Sequence, residues 1–276
     1  MSSPRPSPLE ALLRLDGRVA VVTGAAMGLG GAVARLLAEQ GAAVALLDRD
    51  GTAAEAHAVT LRADGLQARA WGCDVADEAQ VQAAVVGARA ALGPVAVLVN
   101  AAGITSAPGQ PFTRSSSEDF DRTLAVNLKG AFFSASACHA DLLASGRGRV
   151  VNLSSITGVI SAPFMPAYTV SKAALISLTK VMARDLAPHG CTANAVCPGF
   201  IWTPLWQRLG ATMAAADGPR QGADAQAVFD GRVQALVPMR RPQTLQDVAA
   251  MVAFLASDAA ANVTGQVIGV DGGVTI

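Results

Sequence analysis

The 276-residue sequence predicts a single α/β domain built on a doubly wound parallel sheet with helices on both faces. Three observations lead there. Short β-branched runs alternate with longer alanine-rich stretches of helical pattern from Arg18 onward. The runs are apolar throughout rather than at every second residue, as in strands covered on both faces. The stretches between them are long enough for a crossover helix, which parallel neighbours require. No break in composition marks a second domain.

The strand candidates, in order, are "VAVVT" from Val19, "AVALLD" from Ala43, "ARAWGCD" from Ala68, "VAVLVN" from Val95, "RVVNLS" from Arg149, "TANAVCP" from Thr192 and "QVIGVD" from Gln266. Six of the seven are separated by crossover-length segments, and the last follows both an irregular stretch and a helix. Residues 1 to 12, rich in proline and serine, read as a mobile tail, which leaves 13 to 276 as the domain. The segment from Leu205 to Pro238 mixes amphipathic turns with Gly, Asp and Pro and is too long for a simple connection. It reads as a lid over a substrate site.

Composition removes several function classes. Formal net charge is zero, so nothing favours capture by nucleic acid or an anionic membrane. No run approaches the roughly 18 apolar residues of a membrane span, and the N-terminus lacks the apolar core of a secretory signal. A soluble, cytoplasmic protein is expected. Cys73, Cys138, Cys191 and Cys197 form no C-x-x-C pair and sit among apolar neighbours, and His57, His139 and His189 lack ligand spacing, so no metal site is expected.

The first strand candidate runs into "TGAAMGLG", Thr23 to Gly30, and then into a helical stretch. Glycines let a backbone turn tightly and approach a phosphate, and the following helix N-terminus offers free amides and a positive dipole end. Asp48 ends the second strand candidate 18 residues after Gly30, about where a dinucleotide fold places the acid that takes ribose hydroxyls. A carboxylate there repels a 2′-phosphate, so NAD is favoured over NADP, with Arg49 softening the preference. Asp74, closing the third candidate, suits either an adenine contact or a turn or helix cap.

"YTVSK" contains the only tyrosine in the chain, Tyr168, with Lys172 four positions on. On a helix the two share a face. A phenol has a pKa of about 10, and a neighbouring ammonium favours its ionised form, so the pair suits proton transfer.

The glycine loop, "NAAG" at Asn100 to Gly103, "NLSS" at Asn152 to Ser155, "YTVSK", "PGFIWT" at Pro198 to Thr203 and "TGQVIGVDGG" near the C-terminus together resemble the short-chain dehydrogenase/reductase family. The match runs from about Leu15 to Ile276. It implies a Rossmann-like, seven-stranded parallel sheet in one domain, assembled as a homotetramer. By position, the catalytic group it implies is Asn127, Ser155, Tyr168 and Lys172, with Ser155 rather than Ser154 because the family's serine lies thirteen positions before the tyrosine. Cofactor contacts implied in the glycine loop are Gly24, Met27, Gly28, Leu29 and Gly30. Further along they are Asp48, Asp74, Val75, Asn100, Ala101 and Gly103, then Tyr168 and Lys172, and finally Pro198, Gly199, Ile201 and Thr203.

In that reading Tyr168 moves the alcohol proton, Lys172 lowers the phenol's pKa and meets the nicotinamide ribose, Ser155 donates to the developing oxyanion, and Asn127 holds a relay water. Thr203 suits either the nicotinamide carboxamide or, with Pro204 at the first helical position, a helix cap. Candidate pocket walls are Ile156, Thr157, Phe164, Met165, Trp202, Leu205 and Trp206. The function expected is NAD-dependent hydride transfer between nicotinamide and a small secondary alcohol or ketone of the polyol, diol, hydroxyketone or aryl carbinol class. The alternatives are a 3-oxoacyl-thioester (acyl carrier protein) reductase and a non-catalytic NAD(H)-binding sensor.

Overall fold

The computed structural model describes residues 7–105, 112–215, 222 and 224–276, except for the side chain of residue 205. Seven parallel strands, β1 (Val19–Thr23), β2 (Ala43–Asp48), β3 (Ala68–Gly72), β4 (Val95–Asn100), β5 (Arg149–Leu153), β6 (Thr192–Pro198) and β7 (Val267–Val270), form one sheet in the order β3-β2-β1-β4-β5-β6-β7. All seven expected runs are strands. β3 stops at Gly72, two residues short of Asp74, where the chain turns toward the next helix.

The helices are α1 (Pro8–Leu13), α2 (Gly28–Glu39), α3 (Gly51–Ala63), α4 (Glu78–Leu92), α5 (Ser117–Leu124), α6 (Gly130–Ala144), α7 (Pro166–Leu186), α8 (Pro204–Ala215), α9 (Ala225–Leu236) and α10 (Leu245–Ala256). Val33 and Leu37 of α2, Leu61 of α3 and Val252 of α10 pack on one face of the sheet with Val22 and Leu46. Val81 of α4, Leu142 of α6 and Leu186 of α7 cover the other with Val21 and Leu98. Burial on both faces explains why β1 and β4 are apolar at every position but their last; each buried valine or leucine contributes roughly 1.5–3 kcal/mol.

Residues 8–12, expected as part of the tail, belong to a short helix, α1. Pro8 occupies its first turn, and Ser7 and Glu10 cap each other reciprocally. Residues 1–6 lie outside the described residues, as do 216–221 and 223 of the expected lid.

β1 is flanked by β2 on one side and β4 on the other, so the direction of winding reverses there. Such a reversal leaves a crevice at the C-terminal ends of the strands. The loops lining it are tied together. Thr23 Oγ1 accepts the amides of Ala101 at 3.1 Å and Ala102 at 3.2 Å, and a Cβ on Gly24 would lie 2.7 Å from the Ala102 Cα. Only glycine fits that approach.

Candidate active site

Three cavities run along this edge and share lining residues, so they form one continuous cleft. The first, about 300 Å³, is lined by nine of the residues expected to hold a cofactor: Gly24, Met27, Leu29, Gly30, Asp48, Asp74, Val75, Ala101 and Gly103. Asp48 accepts the Ala26 amide through Oδ2 and the Asp50 amide through Oδ1, both at 3.0 Å, which sets its carboxylate beside the glycine loop. Asp74 accepts the Ala76 amide at 3.0 Å. Asn100 behaves differently. Its Nδ2 donates to Asn152 Oδ1 at 2.8 Å in the core, so its side chain ties β4 to β5 rather than facing the cleft.

The glycine loop fits a dinucleotide. Gly28 adopts φ +60° with open space where a Cβ would project, whereas a Cβ on Gly30 would strike the Gly24 carbonyl. Among the described residues the Gly28, Leu29 and Gly30 amides at the start of α2 have no backbone acceptor. Free amides at a helix N-terminus, approached through glycine, are what a diphosphate needs.

The second cavity, about 520 Å³, joins that loop to Tyr168, Lys172 and Thr203. Tyr168 lies in the first turn of α7 and Lys172 one turn later, with Nζ 5.7 Å from the phenol ring centroid. Lys172 is buried and donates to the Leu153 carbonyl at 2.7 Å.

The two serines after β5 divide their work. Ser154 Oγ donates to the Lys172 carbonyl at 2.8 Å and so anchors α7. Ser155 Oγ bonds the Tyr168 hydroxyl and accepts from both the amide and the hydroxyl of Thr157.

Asn127 sits in a π-helical turn, Ala125–Lys129, between α5 and α6. Its Oδ1 accepts the Ile104 amide at 2.8 Å, and its Nδ2 donates to the Ile104 carbonyl and to Ser171 Oγ, each at 2.9 Å. A Cβ on Gly103 would lie 3.4 Å from both Asn127 Oδ1 and Lys172 Nζ, so these three residues converge.

The third cavity, about 360 Å³, opens beside Ser155 and Tyr168. Ile156, Thr157, Phe164, Met165 and Trp206 line it as expected, and Pro198, Gly199, Ile201 and Thr203, expected as cofactor contacts, line it as well. Thr203 Oγ1 accepts the Trp206 amide at 3.5 Å, the capping alternative for α8. Trp202 is absent from the wall. It packs on Phe229, ring centroids 5.1 Å apart, within an aromatic cluster that includes Phe200 and Trp206. Phe200, Leu209, Leu236, Val274, Ser161 and Arg232 also line the cavity without having been expected.

Comparison with known proteins fits this geometry. Residues 24–275 match the family model described as enoyl-(acyl carrier protein) reductase. The chain is 38% identical to the D-threitol dehydrogenase of Mycolicibacterium smegmatis over 263 residues, 95% of each protein. The chain belongs to the short-chain dehydrogenase/reductase family. The structure of an NAD⁺-bound xylitol dehydrogenase superposes with a TM-score of 0.88 at 36% identity, covering 94% of this chain and 99% of that one. A gluconate 5-dehydrogenase from Burkholderia cenocepacia in complex with NADP and tartrate superposes at 0.86 with 34% identity, covering 97% and 98%. The fold and the alcohol dehydrogenase type of oxidoreductase are thereby shared, while nicotinamide cofactors of both kinds occur among such short-chain dehydrogenases.

The electrostatics of this short-chain dehydrogenase/reductase depart from the expectation for its tyrosine. Burial pushes the Tyr168 phenol above its ordinary value, and the hydrogen bond with Ser155 pulls the other way. Burial lowers the Lys172 ammonium to about 8, opposed by Cys197. With both groups removed from water and the ammonium turned onto the Leu153 carbonyl, desolvation outweighs the lowering of the phenol by Lys172 that its position suggested.

Proposed function

We propose that this short-chain dehydrogenase/reductase is an NAD-dependent enzyme interconverting a small secondary alcohol and its ketone. The observation that carries the reading is the position of Tyr168 on the wall shared by the dinucleotide cleft and an apolar chamber, with Lys172 beside it on the cleft side and Ser155 bonded to it on the chamber side. Asp48 at the ribose end supports NAD, because a carboxylate beside the loop disfavours a 2′-phosphate.

A nicotinamide bound in the cleft supplies or accepts the hydride. The chain's residues manage the oxygen. Thr157 fills both acceptor positions of Ser155 Oγ, so the Ser155 proton is left to donate. Ser155 thus donates toward the phenol oxygen and toward substrate oxygen, stabilising negative charge on either. Tyr168 takes the hydroxyl proton in oxidation and returns it in reduction. Lys172 holds the charge beside it, and Asn127 fixes the Gly103–Ile104 backbone beneath Lys172.

The chamber suits a compact substrate with apolar flanks to its carbinol, and its volume is at the small end of ligand sites. Residues 205 to 238, which take in α9 and all of α8 but Pro204, act as its lid within one domain spanning 13 to 276. The outer faces of α6 and α7, where Phe132, Val170 and Val181 are exposed, form subunit contacts of a homotetramer. No described helix is long and apolar enough to cross a membrane. The test is nicotinamide absorbance on purified protein with NAD and NADP separately, across diols, polyols, aryl carbinols, diketones and 3-oxoacyl thioesters. Turnover of one alcohol class with NAD is the expected result. Turnover of thioesters alone would favour the acyl-reductase reading, and NADH binding without any turnover would favour a sensor.

A further inference from the structure

The cavity between the start of α2 and Lys172 is lined by three cations and, among the described residues, by no carboxylate. That is a marked bias in a chain whose formal charges sum to zero. Lys172 is accounted for by its bond to the Leu153 carbonyl. The other two cations are Arg122 of α5 and Arg208 of α8, which come from distant parts of the chain and are both exposed. Neither has an ion pair or a side-chain hydrogen bond among the described residues.

An exposed arginine is ordinarily solvated and worth little. Two guanidiniums facing one cavity without a counter-charge repel each other, and the arrangement gains when an anion sits between them. A second observation points to the same ligand. Gly28 and Leu29, whose amides at the positive end of α2 have no backbone acceptor among the described residues, line the same cavity. Forked guanidiniums together with free helix-start amides match a phosphate-type anion of more than one charge.

We infer that Arg122 and Arg208 hold the diphosphate of the bound dinucleotide, and that Arg208 thereby couples the seating of α8 to cofactor binding. The inference rests on the dehydrogenase reading above and adds the side chains that would link cofactor to lid. Lid closure would follow cofactor binding because α8 gains its counter-charge only then.

The test is fluorescence titration of the intact chain with NADH in the absence of substrate, for the wild type, R122Q, R208Q and the double variant. ADP and adenosine serve as displacing ligands. Each single substitution is expected to raise the Kd for NADH and for ADP about 3- to 10-fold at low salt, less at high salt, with adenosine unaffected. R208K, which keeps the charge, should retain most of the affinity. A double variant whose NADH Kd stays within about twofold of wild type would overturn the inference, as would equal weakening of adenosine, which would mean a general disturbance of the site. Unchanged NADH binding with a raised KM for anionic ketones only would move the anion to the substrate and overturn the diphosphate assignment. Failure of the dehydrogenase reading has a separate signature: the arginine variants weaken NADH as expected, yet no alcohol or ketone turns over.

Discussion

Thr157 donates to Ser155 twice, its amide and its hydroxyl each lying 3.1 Å from Ser155 Oγ. A hydroxyl has two acceptor positions and one proton, so this threonine decides that Ser155 acts as a donor. Removing the hydroxyl frees one lone pair of Ser155 to accept from the Tyr168 phenol, which would favour the protonated phenol. Thr157→Val should lower kcat about 3- to 10-fold, the worth of one hydrogen bond, and move the ionisation seen in the pH–rate profile upward. Thr157→Ser should restore both. Steady-state kinetics across pH checks this, and a valine variant with unchanged kcat and profile would count against the role.

The burial of Lys172 has a consequence for stability in the cofactor-free protein. Its folded pKa is about 8 against 10.5 for the unfolded chain. Between those values the unfolded state holds a proton that the native state has shed, so this group's contribution rises with pH. It is fully present above 10.5 and is lost as pH falls through about 8, a swing of about 3 kcal/mol. Tyr168, raised above its ordinary value, acts in the opposite sense above pH about 10. Denaturant unfolding of wild type and Lys172→Met from pH 7 to 11 isolates the lysine term. The difference in stability should shift toward the wild type as pH rises, and a constant difference would contradict the burial argument.

Asp48 lines the first cavity beside the glycine loop, and the proposed function gives it the ribose end of the cleft. Asp48→Asn keeps an oxygen for the Ala26 amide but removes the charge that repels a 2′-phosphate. The ratio of kcat/KM with NAD to that with NADP should fall about tenfold or more, roughly 1.4 kcal/mol. An unchanged ratio would place the discrimination elsewhere, with Arg49 the next residue lining that cavity.

Val181 and Phe132 lie exposed on α7 and α6. If these faces join subunits, Val181→Glu should split the assembly by burying an unpaired charge. Light scattering at micromolar concentration should show a tetramer for the wild type and a smaller species for the variant. A monomeric wild type would remove the interface.

Much of this was legible in the residues, and the rest was hidden for definable reasons. Strands covered on both faces leave unbroken apolar runs, so all seven could be read to within about two residues of their ends. The cofactor cleft was legible because glycines and a strand-end acid are fixed by backbone geometry. Asn100, in "NAAG", was expected at the same cleft, yet its side chain serves the core through Asn152. The helix at Pro8–Leu13 carried a readable capping box, Ser7 and Glu10, masked by the proline and serine around it. The wall of the third cavity was legible only in part. Side-chain direction in the irregular "PGFIWT" stretch sends Phe200 into the cavity wall and Trp202 onto Phe229, and no periodicity encodes that choice. The π-helical turn that presents Asn127 has no composition signal either.

In the proposed mechanism Tyr168 moves the proton of the substrate alcohol. The most direct measurement of this is single-turnover reduction by Tyr168→Phe with prebound NADH, beside the NADH Kd from fluorescence. The chemical step should slow by a factor of about 10² or more, with the Kd within about threefold of wild type, because only the transferable proton is removed. A variant that reduces ketone at near the wild-type rate would contradict that mechanism.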